Sequence, residues 1–109
     1  ITRTTTGVWR SIPETRQMAE TAVRELVRVG QSQGIKLSDQ TFDNTMRLID
    51  NWAEDHTTSM AKDLMEGRPS ELEAAIGHVV GLGRESGVDV PMINFIHHSL
   101  LPQELQARS

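Results

Sequence analysis

From Met18 to Val27 the apolar residues return every three or four positions: Met18, Ala19, Ala22, Val23, Leu26 and Val27. That period is one face of an α-helix and is foreign to a strand. Arg16, Glu20, Arg24, Glu25 and Arg28 fall between them, on what the pattern assigns to the outer face. The same period recurs downstream. Phe42, Met46, Ile49 and Ala53 mark a second stripe, with Thr45 and Trp52 beside it. Met60, Ala61, Leu64 and Met65 mark a shorter third, which is either a separate helix or the second one continued past a bend near Thr57 and Thr58. Leu72, Ala75, Ile76, Val79, Val80 and Gly83 make a fourth, and Ile93, Ile96 and Leu100 a fifth. No segment shows a convincing alternation of apolar and polar residues. The pattern predicts an all-α fold, a compact bundle of about four to five helices joined by short turns.

The punctuation agrees with that reading. Residues 1–12, rich in Thr, carry no period and read as an extended lead-in, with Trp9 tucked against the helices that follow. Pro13 suits a first helical turn, where its missing N–H would be unpaired anyway, and Glu14 suits the positive helix end. Gly34 reads as a left-handed cap and Ser38 as the next N-cap. Gly67 and Pro69 end the third stripe, and Ser70 and Glu73 have capping-box spacing. Gly87 stops the fourth helix and Pro91 opens the last. Pro102 is expected to end it, leaving the polar tail QELQARS to fray.

The 109 residues make one domain, 1–109, large enough for a core of its own. Without cysteine there is no disulfide framework, thiolate metal site or cysteine nucleophile, which fits a reducing cytoplasm. The net charge of -4, with basic residues scattered among acids, disfavours a nucleic-acid partner. No apolar run approaches the roughly 20 residues of a membrane span. Because the chain starts at Ile1 rather than Met, it is expected to be part of something longer.

Few residues suggest chemistry by themselves. His97 and His98 are neighbours, about 100° apart on a helix, so they cannot share one metal. His56 and His78 lack a ligand partner of clear direction, and the histidines read as surface or rim residues with no metal. The glycines of GLGRESG, residues 81–87, lie late in a helical pattern and do not follow a strand. Gly81 and Gly83 therefore read as close-contact positions between helices, not as a phosphate loop. What remains is the joint TTSMAKDLMEGRPSELE, residues 57–73, which crowds Ser59, Asp63, Arg68 and Glu71 around one tight turn. Local structure accounts for three of them: Ser59 as a cap or bend residue, Arg68 as a solvated turn cation, Glu71 as a first-turn acid worth about 0.3–1 kcal/mol.

Taken together, however, this block resembles the C-terminal domain of ketopantoate reductase (2-dehydropantoate 2-reductase). That family carries S-M-x-x-D-x-x-x-x-R-x-T-E-I-D-x-x-N-G, and here Ser59-Met60, Asp63, Arg68, Ser70-Glu71-Leu72-Glu73 and Gly77 stand in register. The run from Val80 to Pro91 and the ending SLLPQELQAR, residues 99–108, are also similar, and ITRTTTG, IPETRQM and GIKLS match the family's path in kind. The resemblance implies a helical domain of the 6-phosphogluconate dehydrogenase C-terminal-like class. It would follow an N-terminal Rossmann domain that holds NADPH and is absent from this chain, with a 2-keto acid bound in the cleft between the two. It implies a cytoplasmic enzyme that reduces ketopantoate to pantoate on the way to pantothenate and coenzyme A. By position, Ser59 corresponds to the substrate-binding serine and Glu71 to the catalytic-site glutamate. The family's general-acid lysine would lie upstream of Ile1, so this chain alone is expected to be inactive.

The sequence departs from the pattern in places. Ser70 stands for Thr and Glu73 for Asp, both mild changes, while Ile76 stands for Asn and opens the reading to a reductase of another 2-keto acid. A rival reading is a non-catalytic helical interaction or dimerisation module. It is motivated by the lack of a self-sufficient site and by apolar surface that a missing domain would cover. A homodimer is compatible with either.

Overall fold

A computed structural model describes residues 2–109, and among them every regular element is helical. The order is α1 (Thr6–Ser11), α2 (Pro13–Ser32), α3 (Asp39–Asp50), α4 (Ser59–Met65), a π-helical turn (Glu73–Gly77) running into α5 (His78–Ser86), and α6 (Pro91–Arg108). The third stripe is thus a helix of its own, separated from α3 by a loop of turns.

α2 is the axis, touching α1, α3, α5 and α6. On one side Val23 packs with Met46 and Ile49 of α3, and Trp9, Phe42 and Trp52 close over them. On the other side Val29 packs with Val80, Val90 and Ile93, flanked by Ala22, Ile76 and Val79. The two faces of one long helix therefore organise two small cores. Polar contacts tie the same elements: Arg16 makes a paired contact with Asp50 at 2.6 and 3.0 Å, and Arg24 lies 4.2 Å over the Phe42 ring.

The lead-in is more ordered than its sequence implies. Residues 6–11 coil into α1, and Thr6 is buried with both its amide and its hydroxyl donating to the His56 carbonyl. Arg10 then donates to the carbonyls of Ile49, Asp50 and Trp52, at 3.0, 3.2 and 2.7 Å, closing the end of α3. Tertiary partners, not local periodicity, stabilise this turn. Ser38 caps α3 as expected, sharing a capping box with Thr41.

Two expectations about charged and polar segments are overturned. Glu25, assigned to the outer face, has no exposed surface: its carboxylate accepts from Met92 N at 2.9 Å and Ile93 N at 2.8 Å. Val90 provides no side-chain cap for α6, so an acid from α2 satisfies those free amides. Nor does Pro102 end α6. The helix runs through it to Arg108, and Glu104 in the supposedly frayed tail is fully buried. The hydrogen bonds of Glu104 and Arg108 hold the two turns beyond the proline.

Candidate active site

Thr58, not Ser59, caps α4: its hydroxyl accepts from Ala61 N at 3.1 Å. Ser59 is left as the first helical residue, exposed, and its hydroxyl has no intramolecular partner among the described residues. Beside this start lies a cavity of about 330 Å³, lined by Arg3, Thr6, His56, Thr58 and Leu64 with Gln103 of α6 opposite. His56 is stacked on Trp52, ring centroids 4.4 Å apart.

α4 ends at Met65, and Gly67 just beyond it adopts the left-handed conformation (φ 72) that a side chain disfavours. Arg68 turns back onto Asp63, with Nε and Nη2 at 3.2 and 3.0 Å from one oxygen, and also contacts Glu66. These acids raise the Arg68 pKa, with the Asp63 hydrogen bond foremost. The cation thus has partners of its own within the turn.

Next comes a segment of alternating burial. Ser70 is buried, Glu71 exposed, Leu72 fully buried and Glu73 exposed. Ser70 does not share a capping box with Glu73. Its hydroxyl accepts from Leu72 N at 3.2 Å and donates to Glu104 Oε2 at 2.6 Å. Its amide donates to both Glu104 oxygens at 2.9 and 3.0 Å, and its carbonyl accepts from Arg108 Nη2 at 2.7 Å. Arg108 Nε also reaches Glu104 Oε1 at 2.8 Å. Burial alone pushes the Glu104 carboxyl pKa up, but the Ser70 hydroxyl, the Ser70 amide and Arg108 outweigh it and hold the group below its ordinary value.

Glu73 is drawn the other way, to His97 of α6, with Oε1 2.7 Å from Nε2. His97 Nδ1 is buried without a partner, which suits the tautomer that carries its proton on Nε2 and donates it to Glu73. His97 is therefore a paired and mostly covered residue, not a rim histidine. Gly77 makes this possible: a Cβ there would lie 2.6 Å from Glu73 Oε2 and 3.3 Å from His97 Nε2. Of the other glycines singled out, Gly83 lies against Val88 and Val90 of the chain just beyond its own helix, while Gly81 faces open space. Neither makes the helix–helix contact expected of it.

The two sequence-predicted site residues thus occupy exposed positions on segments that both pack against α6. The Glu71 side chain, like the Ser59 hydroxyl, has no hydrogen-bond or ion-pair partner among the described residues. Ile76, the departure from the family pattern, packs against the Val29, Val80, Val90 and Ile93 core. No cluster of three or more His, Cys, Asp or Glu able to hold a metal ion occurs among the described residues.

Sequence reasoning missed His97, Glu104 and Arg108. A signal was there: Ile93, His97, Leu100, Glu104 and Ala107 continue one stripe at four- and three-residue steps straight through Pro102.

The family model described as ketopantoate reductase PanE/ApbA C terminal matches residues 1–104. The chain belongs to the ketopantoate reductase family, as a C-terminal domain. It is 34% identical over 86 residues to a 2-dehydropantoate 2-reductase of Nostoc sp. and 31% identical over 87 residues to one of Halobacterium salinarum. These alignments take in 79% and 80% of the chain but only 27% and 28% of the relatives. A dimeric ketopantoate reductase from Staphylococcus aureus superposes with a TM-score of 0.91 at 28% identity, covering 96% of this chain and 37% of that one. The all-α fold is the one these reductases use for their C-terminal portion.

Proposed function

We propose that the chain is the substrate-binding domain of an NADPH-dependent reductase that converts 2-dehydropantoate to pantoate in the cytoplasm, serving pantothenate and coenzyme A synthesis. The observation that carries this is Glu71, an exposed and unpartnered carboxylate between two buried, anchored neighbours, in a chain of the ketopantoate reductase family. A carboxylate with no structural partner, on backbone this restrained, is available to a ligand.

When bound, the nicotinamide supplies the hydride. GLGRESG falls in α5 and the turn that ends it, and the described residues contain no strand to precede a dinucleotide loop, so the cofactor would be held by the rest of the reductase. As hydride reaches the ketone carbon, negative charge grows on the oxygen and a proton must arrive there. A lysine outside this chain takes that role in the family resemblance. Glu71 accepts hydrogen bonds from the substrate's hydroxyl side and helps to place the lysine. Ser59, its hydroxyl released by the Thr58 cap, donates to a substrate oxygen. Ile76 is committed to the core, so the choice of keto acid falls to other residues.

The test is to follow NADPH absorbance with the full-length protein on adding 2-dehydropantoate. Rapid oxidation that falls by about a hundredfold or more in Glu71→Ala supports the assignment and the site together. A folded, NADPH-binding protein that leaves 2-dehydropantoate untouched points to a different 2-keto acid.

A further inference from the structure

His97, Glu104 and Arg108 stand at i, i+7 and i+11 along α6, which places them within about 40° of one another around the helix. All three reach the same short segment. Glu104 takes the amide and hydroxyl of Ser70, Arg108 takes its carbonyl, and His97 takes the carboxylate of Glu73. Leu72 is fully buried between them. Thus the residue before Glu71 has its amide, carbonyl and side chain all engaged, and the next two residues are anchored by burial and by a hydrogen bond. The Glu71 carbonyl accepts from Ala75 N at 2.9 Å, and only its side chain is without a partner among the described residues. A surface bend of no consequence would not draw a buried carboxylate and an arginine onto the two successive peptide groups that flank Ser70.

We propose that this face of α6 is a positioning strut for Glu71. Glu104 and Arg108 are the principal positioning residues, and the His97–Glu73 pair is the second point of attachment. None of them touches substrate. They remove the backbone freedom that would let the Glu71 carboxylate wander from the geometry needed at the reacting centre, where displacements of about 1 Å cost about a hundredfold in rate. The strut deepens the functional reading of Glu71 and rests on it.

The experiment uses the full-length protein with NADPH and 2-dehydropantoate. Glu104→Gln keeps the shape and removes the charge, and is expected to lower kcat about tenfold with KM for NADPH unchanged. Arg108→Ala, at a side chain 54% exposed and so tolerant of change, is expected to lower it about threefold. Ser70→Ala should follow Glu104→Gln, and Ser70→Thr, which keeps the hydroxyl, should restore turnover. The decisive readout is the double mutant. In a Glu71→Ala background Glu104→Gln should cost nothing further, because there is no carboxylate left to position. The strut is overturned if Glu104→Gln and Arg108→Ala lower only the melting temperature, or if their losses in kcat persist undiminished without Glu71. If Glu104→Gln does not fold, Arg108→Ala carries the same cycle. Turnover that survives Glu71→Ala overturns the functional reading itself and the strut with it, an outcome distinct from loss in Glu71→Ala beside intact turnover in the strut variants.

Discussion

Single residues in this domain often do the opposite of what their class suggests. Glu25 and Glu104 are the polar side chains with the least exposure among the described residues, and each replaces water with backbone N–H donors from a distant part of the chain: Met92 and Ile93 for Glu25, Ser70 for Glu104. The folded state lowers the Glu104 pKa, so its contribution to stability is full above the carboxyl range of the unfolded chain, about pH 4.3. That contribution is lost as pH falls through the lower folded value. Asp50, lowered chiefly by its hydrogen bond from Arg16, acts in the same direction. Melting temperature is therefore expected to fall steeply below about pH 4, and Glu104→Gln should lower the neutral plateau and shrink that acid limb. Leu72→Ala removes a fully buried side chain at the joint and is expected to cost about 2–5 kcal/mol in chemical denaturation. Gly77→Ala is a subtler case. Alanine favours a helix by about 1 kcal/mol, but its Cβ would displace the Glu73 carboxylate from His97. Stability should change little while the His97 ring-nitrogen resonances move.

Helices here are ended and begun by one another. Arg10 of α1 closes α3, Glu25 of α2 opens α6, and Glu104 near the end of α6 fixes the approach to the π turn and α5. Such exchanges explain how short or interrupted elements persist. α1 spans six residues, and α6 carries a proline in its interior. Glu25→Ala would strip the Met92 and Ile93 amides of their acceptor, at about 1–3 kcal/mol for each buried donor left unpaired. Its loss should appear as fast amide exchange at the start of α6. Deleting residues 102–109 tests the last turns of α6 directly. A frayed tail would be dispensable, whereas the buried Glu104 predicts a markedly lower melting temperature on its removal.

At the scale of the whole molecule, two small cores on opposite faces of α2 leave a body 36 × 32 × 20 Å, thin in one direction. The proposed site residues, Ser59 and Glu71, are exposed and lie on segments braced by α6. Under the proposed function, residues 1–109 alone are expected to oxidise no NADPH with 2-dehydropantoate, because the hydride donor's binding loop and the general-acid lysine would belong to the rest of the reductase. Adding back the full reading frame should restore the reaction in the same absorbance assay.

How much of this was legible beforehand follows from the range of the interactions. Helical period, proline and glycine punctuation and the Ser38 cap are set by neighbours within four residues, so the all-α class and most helix starts could be read from the chain. The motif around Ser59 and Glu71 was readable for the same reason, since it sits in one contiguous run. What could not be read depends on pairs far apart in sequence. Glu25 is buried only because α6 begins beside it, 67 residues on. Thr6 and Arg10 hold α1 only because residues 49–56 return to meet them. The tail beyond Pro102 is helical only because Ser70, 34 residues earlier, offers Glu104 an amide and a hydroxyl. Local periodicity decided which residues would be helix. Where a charge could be buried, and which carboxylate would be left free, was decided by which unpaired backbone groups the packed helices brought to it.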